Sequence, residues 1–362
     1  MKAAVVNTVG AGFVVEELQI AAPIGREVLV DVKAAGLCHT DLTIATQDMG
    51  YEMPSVLGHE VAGIVIGVGP DVTQVKPGDH VVGCLLQSCG SCAKCLDGKP
   101  YQCQHPEATM RHAGQGDRLA RGGAPVSQIF GLGGFAEQAL IHENQLAVVP
   151  DSVPFPQAAL IGCGVMTGAG AVLNSAQVRA GDSVVIVGTG GVGLNGISGA
   201  VVAGATTIIA VDIDDAKLET ARGFGATHVV NSRTSDPVAA VREITGGGAD
   251  HVFDFVGLQA VAEQGLAMLG TGGGLYLIGV ASPTAAVPVS VVGSVLNQTR
   301  VQGVTLGSSN FKRDVPFYAD LYAQGRFNLD DLVSREISLD QIEEGYAALK
   351  DPSITRVVIT SF

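Results

Sequence analysis

Four cysteines, Cys89, Cys92, Cys95 and Cys103, form a C-x2-C-x2-C-x7-C run. Thiolates spaced this closely can converge on one tetrahedral metal ion at about 2.3 Å each, and a single short loop supplies them all. A disulfide cluster is the competing reading, but short-range pairs in a chain that opens without a secretory leader favour metal. The second chemical signature is Gly188-x-Gly190-x-x-Gly193, with Gly191 and Val192 inside it. It follows the apolar run SVVIV directly and opens a small-residue stretch. Glycines at this spacing let the backbone approach a pyrophosphate that rests on a helix N-terminus. Asp212 closes the next apolar run, TTIIAVDI, about twenty positions further on. A carboxylate there accepts hydrogen bonds from ribose hydroxyls and repels a 2′-phosphate, so NAD is expected rather than NADP.

Particular elements must hold these groups. The first third of the chain carries short β-branched runs between turn signals, Val28 to Val32, Val61 to Val68 and His80 to Val82, and reads as an antiparallel β-rich domain. From about Gly181 a strand, a glycine turn and an alanine-rich helix recur, which predicts parallel βαβ winding. From about Leu306 the pattern returns to mixed helix and strand, and is expected to pack back on the first domain. The expected division is 1–164 with 306–362 for the catalytic domain, and 165–305 for nucleotide binding. At 362 residues, 47% hydrophobic and 15% charged, the chain reads as a globular enzyme with no apolar run long enough to span a bilayer. Its opening residues read as a first strand rather than a signal peptide, so a cytoplasmic location is expected. A net charge of −14, from 35 acidic and 21 basic residues, repels a nucleic-acid backbone.

Three further potential ligands are dispersed: Cys38 in GLCHTD, His59 in GHE and Cys163 in IGCGVMTG. Taken singly, each reads as a buried thiol or a core histidine. The stretch Gly58-His59-Glu60-x2-Gly63-x5-Gly69-x2-Val72, however, resembles the zinc-containing alcohol dehydrogenase signature of the medium-chain dehydrogenase/reductase superfamily. The Cys38 segment, GHE, the four-cysteine run, Cys163, the glycine fingerprint and the terminal TRVVIT follow in that family's order over nearly the whole chain. The resemblance implies an α/β fold, a β-rich GroES-like catalytic domain joined to a Rossmann doubly wound sheet. It implies two zinc ions per chain. Cys38, His59 and Cys163 would hold a catalytic zinc with one open position, and Cys89, Cys92, Cys95 and Cys103 a structural one.

The same resemblance places Glu60 close to the catalytic metal and Asp41 behind the ligand histidine, since metal-bound imidazoles usually donate their other N–H to a carboxylate or carbonyl. Thr40 corresponds to the hydroxyl residue that takes the alcohol proton. Better-known members often carry a histidine three positions later; this chain has Thr43, which leaves the last relay step open. His39 and Arg356 would meet the cofactor phosphates, Lys217 the adenosine ribose, and Thr167 would pack near the nicotinamide. Cys84 reads as a core thiol. The insert between Cys103 and Phe135, with Arg111, Arg118 and Arg121, resembles the longer form of the family, commonly dimers paired through the edge of the nucleotide domain, so a homodimer is expected. Where glutathione-using relatives need an acidic and a basic pocket residue this chain has Met49 and Glu107, which argues against glutathione. The expected activity is hydride transfer between NAD and an apolar alcohol or aldehyde, with aryl or allylic primary alcohols favoured. Two other readings stand beside it: a non-catalytic NAD- and zinc-binding structural or sensor protein, and an enzyme that keeps NADH bound and regenerates it with an external acceptor.

Overall fold

The computed structural model describes all residues from Met1 to Phe362. The chain sorts into two compact units, Met1–Cys163 with Asn310–Phe362, and Gly164–Ser309.

In the first unit the long strand Glu27–Gly36 organises the core. Its Val28, Val30 and Val32 alternate toward the interior and are buried, as a period-two apolar pattern requires. It pairs antiparallel with Glu60–Val68, with Gln138–His142 and with Arg356–Ser361. Leu37, Leu57, Val61, Phe135, Tyr346, Val357 and Ile359 pack into the same core cluster, and burying an apolar side chain of this size contributes roughly 1.5–3 kcal/mol. The late strands Val333–Ser338 and Arg356–Ser361 thus complete the sheet centred on Glu27–Gly36. The return to this unit falls at Asn310, slightly after the expected Leu306. Ser309 stays with the second unit, where its hydroxyl donates to the Met166 carbonyl at 3.3 Å.

The basic residues of the insert are engaged in ion pairs that fasten it to the β-core. Arg111 Nη2 and Arg118 Nε lie 2.6 and 2.8 Å from the buried Glu27 carboxylate, and Arg121 pairs with Glu16.

The second unit is a six-stranded parallel sheet ordered His228–Asn231, Thr207–Asp212, Ser183–Val187, Ala249–Asp254, Leu269–Leu277, Arg300–Gly303. The order reverses beside Ser183–Val187, the switch point at which doubly wound sheets bind nucleotides. One expectation needs correction. The helical run Phe155–Ala176 is 22 residues long with mean hydropathy 1.4, long and apolar enough to cross a membrane, but 78% of its most apolar window is buried inside the fold, which accounts for its composition.

Candidate metal and cofactor sites

Four local features bring the dispersed residues together. Cys38 precedes the helix His39–Thr46 in extended conformation, which turns its side chain inward and places Asp41 in the first helical turn. His59 and Glu60 stand at the head of the strand Glu60–Val68. Gly58 before them has φ +97°, and a Cβ there would lie 2.6 Å from the Phe135 backbone nitrogen, so only glycine makes this turn. The Gly58 N–H donates to Asp41 Oδ1 at 3.0 Å, which ties the turn to the helix. Cys163 lies in the π-helical stretch Ile161–Val165, a widened turn of a kind frequent at functional sites.

Cys38, His59, Glu60 and Cys163 are all buried, and their potential ligand atoms lie within 4.8 Å of one another. Cys163 Sγ is 3.3 Å from His59 Nε2, while His59 Nδ1 is 2.9 Å from Asp41 Oδ2. The imidazole therefore turns one nitrogen to the thiols and the other to a carboxylate. Arg356 Nη2 is 3.5 Å from Glu60 Oε1. Burial pushes the Glu60 carboxyl up to about 7 despite the opposing charge of Arg356. Hydrogen bonding from Cys163, with the nearby His59 and Arg356, holds the Cys38 thiol well below its ordinary range. Burial would depress His59, but the charges of Asp41 and Cys38 outweigh it and raise the imidazole. Asp41 is raised, chiefly by burial.

These residues fit a metal ion. Neither Glu60 oxygen has a hydrogen-bond partner although both are buried, a costly arrangement unless a cation completes it. Two thiols and an imidazole are the soft and borderline donors that zinc prefers, and bonds of about 2.0–2.3 Å in a tetrahedron give N-to-S edges of about 3.5 Å.

The four-cysteine lobe passes the same test. The sulfurs of Cys89 and Cys95 are 3.9 Å apart and those of Cys92 and Cys103 4.0 Å apart. A disulfide needs about 2.05 Å, whereas a tetrahedron of bonds of about 2.3 Å has edges of about 3.8 Å. Backbone N–H groups of Cys89 and His105 donate to Cys103 Sγ at 3.2 and 3.3 Å, and that of Cys92 to Cys89 Sγ at 3.3 Å. The disulfide reading has no support here, for all seven cysteines are unpaired. Cys84 is a buried core thiol, pushed by burial up to about 12.

In the second unit the fingerprint turn joins the strand Ser183–Val187 to the helix Gly191–Ala203, whose N-terminus no side chain caps. A Cβ at Gly193 would lie 1.9 Å from the Gly188 carbonyl oxygen, so the turn closes only with glycine there. A Cβ at Gly190 would meet nothing within 4 Å. That open space in front of uncapped N–H groups fits a pyrophosphate. Asp212 Oδ2 accepts from the Thr189 N–H at 2.8 Å and its hydroxyl at 2.9 Å, while Oδ1 accepts from the Ile213 N–H at 2.7 Å. The carboxylate is fixed at the strand end beside the glycine turn.

The remaining residues are less gathered. His39 and Thr40 are exposed at the start of their helix, and Thr43 Oγ1 is engaged by the His39 carbonyl at 2.9 Å. Thr167 lies in the helix Met166–Gly170, and Lys217 in the first turn of Asp215–Gly223 behind the capping Asp214. Arg356, expected at the cofactor phosphates, is buried beside Glu60 in the metal cluster. Sequence reasoning missed Phe130, whose ring stands edge-on to His59 at 5.7 Å between centroids, and Tyr51, which packs edge-on to Phe130 at 5.7 Å. It also missed Thr189, although its place inside the fingerprint was a signal, and Tyr346, whose hydroxyl lies 3.4 Å from the Cys38 carbonyl.

Family models confirm the class. Residues 191–320 match that described as zinc-binding dehydrogenase, and 25–151 that described as alcohol dehydrogenase GroES-like domain. The chain belongs to the zinc-containing alcohol dehydrogenases of the medium-chain superfamily and is an NAD-dependent member of it. It is 39% identical, over 99% of its length and 98% of the relative's, to an NDMA-dependent alcohol dehydrogenase of Amycolatopsis methanolica. It is 36% identical, over 99% of both chains, to an S-(hydroxymethyl)glutathione dehydrogenase of Paracoccus denitrificans. Its structure resembles that of benzyl alcohol dehydrogenase from Acinetobacter calcoaceticus with TM-score 0.94 and 36% identity, over 100% and 99% of the two chains.

Proposed function

We propose that this alcohol dehydrogenase oxidises flat, apolar primary alcohols, aryl or allylic, and that Cys38, His59 and Cys163 hold its catalytic zinc. The observation that carries the substrate reading is the ring of Phe130 against His59, backed by Tyr51, which gives the metal cluster an aromatic wall. Likeness to a benzyl alcohol dehydrogenase supports it. The exposed Met49, standing where glutathione users need a charge, argues against the glutathione adduct.

Zinc bound there supplies a Lewis acid for the alcohol oxygen, and NAD a hydride acceptor. The chain's own residues do the rest. Asp41 holds His59 with Nε2 aimed at the cluster, Arg356 balances Glu60, and burial of the ligands keeps bulk water from them. Thr40, exposed beside Cys38, takes the alcohol proton and passes it to the nicotinamide ribose, and solvent takes the last step because Thr43, whose hydroxyl donates to the His39 carbonyl, stands in place of a histidine. Gly188, Gly190, Gly191, Val192 and Gly193 cradle the pyrophosphate, Asp212 and Lys217 meet the ribose, and His39 and Thr167 complete the cofactor contacts. Cys89, Cys92, Cys95 and Cys103 hold a second, structural zinc.

A homodimer is proposed through the second unit. The strand Arg300–Gly303 pairs on one side only, and the preceding helix Val291–Asn297 exposes Val291, Val292, Val295 and Leu296. An open strand edge beside so much apolar surface suits a second copy of the chain. Seven unpaired cysteines suit a reducing cytoplasm.

The test is NADH formation from NAD with benzyl alcohol and with ethanol, before and after chelation. Chelator-sensitive turnover that favours benzyl alcohol is expected, and Thr40→Ala should lower turnover about a hundredfold without weakening NAD binding. Equal turnover of both alcohols would overturn the substrate reading, and unchanged turnover of Thr40→Ala its relay role. A second reading, an enzyme that keeps its cofactor, is favoured by likeness to the NDMA-dependent relative. It is tested by measuring nucleotide released when purified protein is denatured.

A further inference from the structure

Phe130 has a left-handed backbone, φ 55° and ψ 14°, a region that bulky L-residues seldom occupy. A support must hold it there. Its carbonyl accepts a 2.8 Å hydrogen bond from Gln145 Nε2, and the same amide nitrogen donates at 3.1 Å to the Cys84 carbonyl. Two carbonyls therefore fix the orientation of one fully buried side chain.

The clamp stands on firm ground. Gln145 closes the short turn Glu143–Gln145, every residue of which is buried. Asn144 Nδ2 donates to the Ser88 carbonyl at 2.8 Å, and Glu143 Oε1 accepts from Arg26 Nε at 2.6 Å. The backbone bearing Gln145 thus has little freedom to follow Phe130 if that residue relaxes. Freed from the amide, Phe130 would fall toward the commoner right-handed or extended backbone, and its ring would leave the 85° edge-on contact with His59.

We propose that Gln145 is a positioning residue for substrate selection: by holding the Phe130 carbonyl it fixes the aromatic ring beside His59 against which a flat alcohol packs. The proposal rests on the aryl-alcohol reading above. A side chain some distance from the reacting alcohol thereby sets which alcohol fits, while the metal ligands are left as they are.

The experiment compares benzyl alcohol and ethanol kinetics in zinc-loaded full-length enzyme for wild type, Gln145→Met, Phe130→Ala and the double variant, with zinc content and thermal midpoint measured in each. Gln145→Met keeps the length of the side chain and removes both donors. It is expected to raise the KM for benzyl alcohol about tenfold, the effect of about one buried hydrogen bond on a binding constant, and to leave ethanol kinetics within about twofold. In the Phe130→Ala background the same substitution should add nothing further, because the ring it positions is gone. If Gln145→Met does not fold, Gln145→Asn keeps an amide one methylene too short and should give the same substrate-selective loss. Equal effects on both alcohols, or a full effect persisting without Phe130, would reduce Gln145 to a structural residue and overturn the proposal. A wild-type preference for benzyl alcohol that the Gln145 variants leave intact would sink it alone, whereas a wild type without that preference would sink the aryl reading and this assignment with it.

Discussion

Asp212→Asn probes the cofactor site with the smallest change of shape. Each oxygen of the native carboxylate accepts from two donors, Oδ2 from the Thr189 N–H and hydroxyl at 2.8 and 2.9 Å, and Oδ1 from the Ile213 and Asp214 N–H groups at 2.7 and 3.2 Å. An asparagine has one acceptor oxygen and one NH2. Either orientation of the amide sets that NH2 against a backbone N–H; the cheaper one faces the exposed Ile213 N–H, which water can satisfy, so the cost to the turn is small. That cost falls on the free protein and on the complex alike. Affinity for NAD suffers from a different loss, the charge-assisted bond between carboxylate and ribose hydroxyl, worth about 1.5–3 kcal/mol. The dissociation constant for NAD should therefore rise about ten- to hundredfold. NADP, which the native carboxylate repels, should lose less or gain, so the preference between the two cofactors narrows. The chain contains no tryptophan, so the emission of bound NADH is the signal, and its loss as NAD or NADP displaces NADH gives their dissociation constants. Zinc content and thermal midpoint establish that the variant is folded. A folded, zinc-loaded variant that binds NAD as tightly as wild type would refute the contact between Asp212 and the ribose.

Two other perturbations address the scaffold. Glu27→Gln leaves the partly buried guanidiniums of Arg111 and Arg118 without their counter-charge, and should lower unfolding free energy in urea by about 1–3 kcal/mol. Burial alone would raise the Glu27 carboxyl, but hydrogen bonds from Arg111, the Ile24 N–H and Arg118 hold it below its ordinary 4.5. The unfolded chain thus takes up this proton first on acidification. The ionic contribution is complete above about pH 4.5 and is lost as pH falls through the lower, folded value, so the gap between wild type and variant should close in acid. A gap that stays constant with pH would contradict the pairing. Cys95→Ser should remove one of two zinc equivalents and lower the thermal midpoint; retention of both equivalents would remove the four-cysteine lobe from the list of metal sites.

What the sequence made legible was whatever chemistry it packs closely. The four cysteines and the glycine fingerprint with Asp212 are each local, and each appears in the structure as a local object. Cys163 was different: its sulfur lies against His59 although 104 positions separate them, and only likeness to a family, not spacing, united the two. Arg356, Tyr346 and Gln145 were harder still. Arg356 was placed at the phosphates by family likeness alone, and its position beside Glu60, set by a late strand pairing, left no mark in the spacing. Gln145 looks like any polar loop residue, and its two carbonyl partners, Cys84 and Phe130, carry no side-chain signal at all. Arg111 and Arg118 of the insert gave no sign of their common partner, Glu27, because it lies more than eighty positions earlier. Contacts of this kind depend on sheet register, which apolar periodicity constrains and does not specify.

Chain order sets when the metal centre can be finished. Cys38, His59 and Cys163 all precede the second unit, whereas Arg356, the cation beside Glu60, follows it on a strand that must pair with Glu27–Gly36. During synthesis at about 5–20 residues per second, an intervening unit of roughly 150 residues takes about ten seconds or more to appear. Through that interval the nascent chain carries its thiols, imidazole and Glu60 with a sheet edge open beside them. A ribosome that stalls within the second unit leaves a polypeptide with unligated metal-site thiols and an unpaired strand, which is a substrate for stray metals and quality control rather than a dormant enzyme.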